Sequence, residues 1–207
     1  MKTKTLIVGQ LQTNCYLLID NGQCLIIDPG DDADFIISRI RDLEVKPIGI
    51  VATHGHFDHI LSATELKLAF GIPFYLHKAD LPILKRTQPT AKYFTGLEVD
   101  PPPPVDKYLK KGQILKVGKG KLKVVETPGH TPGGISFYIK GAVFVGDLMF
   151  AGGGVGRTDL QGGNAKLLKA SIKKILKLSK NITIYPGHGE KFKLRNWGNV
   201  SIDFVQN

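Results

Sequence analysis

The chain has 207 residues, 42% of them hydrophobic, enough for one well-buried core and, by length, for one domain over residues 1–207. No apolar run reaches the roughly 18 residues that a membrane-spanning helix needs. The opening Met1-Lys2-Thr3-Lys4-Thr5 leads into apolar residues broken by Gln10, Gln12 and Asn14, so no signal peptide and a cytoplasmic location are expected. The formal net charge of +10 admits nucleic acid, anionic membrane or acidic small molecules as partners.

The elements can be read in chain order. Leu6–Val8, Asn14–Asp20 and Cys24–Asp28 have strand character, and Asn21-Gly22 is a two-residue hairpin signal. That register sets Ile19 opposite Cys24 and Cys15 opposite Asp28, which leaves the two cysteines too far apart to bond and reads as two buried, reduced thiols. Asp32 or Asp34 can cap a helix running through Ile36, Ile37 and Ile40. Ile48–Ala52 is a short apolar run of the kind covered on both faces. Ser62–Phe70 is helical and stops at Gly71, and Phe74–His77 is a further strand.

Residues 88–113, with four prolines at Pro101–Pro104, read as an extended surface crossing. Strands resume at Leu122–Glu126, Ile135–Ile139 and Ala142–Val145, followed by the loop Gly152–Gly156. That loop lacks the Gly-Lys-Ser/Thr ending of a phosphate cradle. Lys166, Lys169, Lys173, Lys174, Lys177 and Lys180 alternate with Leu167, Leu168, Ile172, Ile175 and Leu176 at helical spacing, so much of the positive charge belongs to the solvated face of an amphipathic helix. Ile182–Tyr185 is the last strand. Two runs of strands interleaved with helices imply two sheets packed face to face with helices outside.

The chemistry concentrates in Thr53-His54-Gly55-His56-Phe57-Asp58-His59, which begins where Ile48–Ala52 ends. Imidazole and carboxylate bind zinc at about 2.0–2.2 Å, which requires crowded ligands. His54 and His56, two apart, point the same way in extended chain, whereas Asp58 and His59 fall at a helix start where the chain turns and can serve a second point. His130, Asp147 and His188 each follow an apolar strand beside glycine. Alone, each would read as structural; together they place five of the six histidines in metal-like settings. His77 lacks such a setting and reads as ordinary surface or as a support to the site.

The order His54-x-His56-x-Asp58-His59, His130, Asp147, His188 resembles the ligand set of the metallo-β-lactamase superfamily over nearly the whole chain. The resemblance implies an α/β fold, a four-layer αββα sandwich. It implies a first metal on His54, His56 and His130, a second on Asp58, His59 and His188, and Asp147 bridging both. Two divalent ions per chain are implied, zinc foremost, with iron or manganese as alternatives. Thr13-Asn14-Cys15-Tyr16, Thr127–Gly133, Gly146-Asp147 and Gly156–Leu160 are similar to the glyoxalase II group of glutathione thioester hydrolases. Only 19 residues follow His188, so the helical C-terminal domain of the longer enzymes of that group is not expected here.

The resemblance implies a hydroxide shared by the two metals that attacks a carbonyl, with Asp58 both binding metal and accepting a hydrogen bond from the nucleophile. A small-molecule thioester is the expected substrate. The alternatives are a one-iron enzyme like the persulfide dioxygenases, or a promiscuous hydrolase of lactones, β-lactams or nucleic acid. The charge keeps nucleic acid open, although the nucleases of this fold carry inserted domains or arms for which this chain has no room. Arg157 and Asp159 read as an ion pair supporting the site, and Tyr93, Phe94 and the proline run as candidate substrate contacts.

Overall fold

A computed structural model describes residues 1–198. Two mixed six-stranded sheets face each other. The first holds β1 (Lys2–Val8), β2 (Thr13–Asp20), β3 (Gln23–Ile27), β4 (Lys46–Val51), β5 (Phe74–His77) and β6 (Lys107–Leu109), side by side in chain order. The second holds β7 (Ile114–Val117), β8 (Gly120–Glu126), β9 (Ile135–Ile139), β10 (Ala142–Gly146), β11 (Thr183–Pro186) and β12 (Phe192–Lys193), again in chain order. The expected hairpin is present: β2 and β3 pair antiparallel with Ile19 opposite Cys24, and both cysteines are free and buried.

The period of two along β2 builds the layers. Tyr16 and Leu18 face the second sheet and pack with Leu122, Val124, Phe137 and Phe144 in the central core. Cys15 and Leu17 face outward and pack with Ile36, Ile40 and Leu66 of α1 (Ala33–Asp42) and α2 (Ala63–Phe70). On the far side, Val143, Val145 and Ile184 receive Leu168, Ile172 and Ile175. With α3 (Leu81–Leu84) and α4 (Thr87–Thr95) intervening, that outer helix is α5 (Ala165–Leu176), whose alternate face carries the lysines. Each fully buried aliphatic side chain contributes about 1.5–3 kcal/mol, so these three cores dominate stability. The architecture is an αββα sandwich, as expected.

Three local expectations change. Asp32 does sit at the head of α1, but in a left-handed conformation with φ of 55° and no side-chain cap; its carboxylate instead accepts from the Gly9 N–H at 2.8 Å. The chain around Asp58 is a single 3-10 turn, Phe57–His59, and α2 begins only at Ala63. Residues 88–113 are not merely a surface crossing: they contain most of α4 and edge strand β6, which pairs parallel with β5. Pro89 is accommodated in the first turn of α4, where its missing N–H costs nothing. Among the described residues no helix is long and apolar enough to cross a membrane.

Candidate metal centre

All seven residues singled out in the sequence meet at one end of the sandwich. His54 and His56 follow β4, and Asp58 and His59 lie in the 3-10 turn after it. His130 follows β8, Asp147 follows β10 directly, and His188 lies two residues past β11. Strands β8, β10 and β11 run in the same direction, because β9 reverses between β8 and β10 and β11 is parallel to β10. Cross-links bring the sheet ends together: Ile135 N–H donates to Thr53 O at 2.8 Å, and Asn14 N–H to Gly187 O at 2.7 Å.

The donor atoms fall into overlapping groups. His54, His56 and His130 form one; Asp58, His59 and His188 form another; Asp147 joins His54 and His59, one member of each. Within each group the donor atoms lie within 4.8 Å of one another. His188 Nε2 is 3.2 Å from Asp58 Oδ2, and Asp147 Oδ1 is 3.4 Å from His59 Nε2. His54 Nε2, His59 Nε2 and Asp147 Oδ1 are buried with no hydrogen-bond partner. Orphaned buried polar atoms are costly, and three of them facing one another fit a cation.

The outer hydrogen bonds explain which nitrogen each ring presents. The Thr53 hydroxyl donates to Asp28 Oδ2 at 2.7 Å, so it accepts from His54 Nδ1–H, 3.0 Å away. His59 Nδ1–H donates to the same Asp28 oxygen at 3.1 Å. His130 Nδ1–H donates to Arg157 O at 2.7 Å, and His188 Nδ1–H to Leu11 O at 3.0 Å. In all four the Nε2 is left facing inward as a ligand atom. His56 is the exception, with its Nδ1 2.9 Å from His130 Nε2.

The electrostatics divide the rings. Burial, then the neighbouring imidazoles, hold His54 well below the usual histidine range, and burial followed by His130 pushes His56 down to about 4. Burial also opposes charge on His59, but Asp58, Asp147 and Asp28 outweigh it and hold the imidazole well above its usual value. Burial likewise opposes the charge on Asp58, yet His59 and His188 keep that carboxyl below its usual range. At pH 7, then, the metal-free His59 carries a proton on the nitrogen that a metal would need. Metal uptake at pH 7 is expected to release at least about one proton per chain, and affinity to rise with pH until His59 is neutral, because only the unprotonated ring binds. Calorimetry in buffers of different ionisation enthalpy measures this; uptake without proton release would contradict it.

Two residues that support this geometry escaped the sequence reading. Asp28 is buried and accepts from the Thr53 N–H at 2.6 Å as well as from the Thr53 hydroxyl and His59. It sits just past an apolar strand, beside Pro29 and Gly30, the same setting as Asp147, and that signal could have found it. Asp80, also buried, accepts from Gly55 N–H at 2.9 Å, Thr131 Oγ1–H at 2.8 Å and Gly133 N–H at 2.5 Å, buckling the 54–59 loop to the 127–134 loop. Nothing in its local sequence announces this. His77 stands outside the cluster, 3.6 Å from Glu126. Arg157 and Asp159 do form a bidentate pair, at 2.8 and 2.6 Å.

A cavity of about 590 Å³ opens over the cluster, with His56, Asp58, His130 and Asp147 on its floor and Tyr93 and Phe94 in its wall. The proline run does not line it; Pro101 O and Pro104 O instead accept from Thr64 and Lys67 of α2.

Known proteins resemble the chain in sequence and fold. The family model of the metallo-beta-lactamase superfamily matches residues 8–188. The probable metallo-hydrolase YqgX of Bacillus subtilis is 39% identical over 193 residues, covering 91% of this chain and 90% of that protein. The hydroxyacylglutathione hydrolase GloC of Haemophilus influenzae is 35% identical over 199 residues, covering 91% of each. The crystal structure of TTHA1623 in a di-iron-bound form superposes with a TM-score of 0.86 at 37% identity, covering 93% of this chain and 95% of that one.

Proposed function

Since the chain belongs to the metallo-β-lactamase superfamily, we propose that it is a two-metal hydrolase of thioesters, of the hydroxyacylglutathione hydrolase type. The observation that carries this reading is the set of orphaned donor atoms, His54 Nε2, His59 Nε2 and Asp147 Oδ1, lying beneath an open cavity. His54, His56 and His130 would hold one ion, Asp58, His59 and His188 the other, and Asp147 would lie between them. Two divalent cations there, zinc foremost, would supply Lewis acidity and bring the pKa of a water toward neutrality.

The chain's own residues do the rest. Asp58, anionic at neutral pH, faces the cavity floor and can accept a hydrogen bond from the attacking water, orienting it toward the carbonyl. Thr13 Oγ1 lies 3.5 Å from Asp58 Oδ2 and donates to that carboxylate. A thiolate leaves without needing a proton, so no separate acid is required. The GloC relative supports a thioester as substrate. The completeness of both donor groups supports two ions over a one-iron centre. The proposal includes a cytoplasmic location and a small-molecule substrate rather than a membrane.

The test is metal content measured together with hydrolysis of S-lactoylglutathione by the purified protein. Two metals per chain with hydrolysis are expected. Two metals without hydrolysis of any thioester would overturn the substrate class, and one iron per chain would overturn the two-metal centre.

A further inference from the structure

The cavity has a wall that the hydrolysis itself does not use. Tyr93 is 83% exposed and Phe94 44%, although both are large and apolar, and Leu11, which lines the same cavity, is 43% exposed. Tyr93 meets Phe94 edge-on at 5.0 Å, and Phe94 stacks on Phe57 with centroids 6.1 Å apart and planes 14° apart. Phe57 precedes Asp58, so an aromatic surface runs from the tip of α4 down to the reacting centre. Ile83 and Leu160 extend it. Contiguous exposed apolar surface around a pocket marks a binding site rather than a scattering of surface residues.

Two arginines reach the same cavity, and their charges differ in effect. Arg157 is neutralised by its bidentate bond to Asp159. Arg86, at the head of α4, donates to the amide oxygen of Gln161 at 2.9 Å. That partner orients the guanidinium but leaves its charge uncompensated, and among the described residues no carboxylate pairs with it.

We propose that the preferred substrates are thioesters with an apolar or aromatic body and one anionic group that meets Arg86, in preference to a conjugate as hydrophilic as that of glutathione. This rests on the thioesterase reading for the chemistry but not for the recognition. The body lies against Phe94 and Tyr93, the thioester carbonyl reaches the floor beside Asp58, and the anion docks at the rim. A glutathione conjugate would set its polar peptide against this aromatic wall without satisfying the peptide's hydrogen bonds.

Recognition can be tested without turnover. The thioether S-benzyl-3-mercaptopropionate, which has no thioester to hydrolyse, is titrated calorimetrically into the metal-loaded protein beside its neutral alcohol analogue, 3-(benzylthio)propan-1-ol. Arg86→Gln is expected to weaken the acid about five-fold relative to the alcohol, the upper end for a partly solvated ion pair. Tyr93→Ser is expected to weaken both about three- to ten-fold. Both side chains are exposed, so neither change touches the core. An acid affinity unchanged by Arg86→Gln, or ligand affinities unchanged by Tyr93→Ser, would overturn the proposal. In turnover, kcat/KM for S-phenylacetyl-3-mercaptopropionate is expected to exceed that for S-lactoylglutathione at least about ten-fold, and the reverse order would also overturn it. A protein that binds the thioether as expected yet cleaves no thioester would refute the thioesterase reading and leave the recognition standing.

Discussion

Replacing Asp147 with alanine is expected to reduce the metal content from two ions per chain to one or fewer and to lower thioester hydrolysis by at least about a thousand-fold. The carboxylate is the point where the two donor groups join. Its Oδ1 lies 3.4 Å from His59 Nε2, and its Oδ2 lies 3.6 and 3.7 Å from His188 and His130. Without it, no carboxylate of the protein would join the two donor groups and offset the repulsion between two cations held by them. Loss of Lewis-acid stabilisation worth several kcal/mol corresponds to three or more powers of ten in rate. Metal analysis beside steady-state kinetics decides the matter. Retention of both ions with near-normal turnover would show that Asp147 is incidental.

The second large effect concerns a residue that touches no substrate. Asp28→Asn conserves shape but is expected to weaken metal binding about a hundred-fold, the upper end for residues that orient ligands. Three donors converge on Asp28: the Thr53 N–H, the Thr53 hydroxyl and His59 Nδ1–H. An amide offers one oxygen and one NH₂. If the oxygen takes the Thr53 N–H, the NH₂ faces His59, whose ring must then carry its proton on Nε2, the atom aimed at the metal. The Thr53 hydroxyl, freed to donate, would drive His54 into the same wrong tautomer. One substitution in a buried carboxylate would thus disable a histidine in each donor group. Metal titration followed by imidazole NMR tests this; a variant with wild-type metal affinity and unchanged tautomers would refute it.

The extent to which the sequence revealed these features follows from the range of the forces involved. The 54–59 cluster was legible because its ligands are crowded within six positions, and His130, Asp147 and His188 because each follows an apolar strand beside glycine. The β2–β3 register was legible because Asn21-Gly22 dictates a two-residue turn. Asp80 was not, since all three of its donors come from loops far off in the chain. Helix α4 was hidden by its composition: Thr87, Thr90 and Thr95 are poor helix formers, and Pro89 reads as a breaker. Its helical state is held instead by the left-handed C-cap at Gly96, whose N–H donates to Lys92 O at 3.0 Å, and by Phe94 packing on Phe57. That hidden helix carries much of the wall that bears on specificity, so the chemistry was more legible than the substrate.

The strand order within each sheet also bears on how the molecule assembles. Every strand lies beside its neighbour in the chain, so each sheet is built wholly from one half of the chain, the first ending at Leu109 and the second starting at Ile114. Each sheet can therefore form without strands from the other half, before the two meet. The donor groups do not divide that way. Each takes two members from the turn after β4 and one from the second half of the chain, His130 or His188. A half-assembled chain offers each ion only a pair of ligands and holds it weakly, so firm capture is the closing event of folding and reports that the two halves have docked.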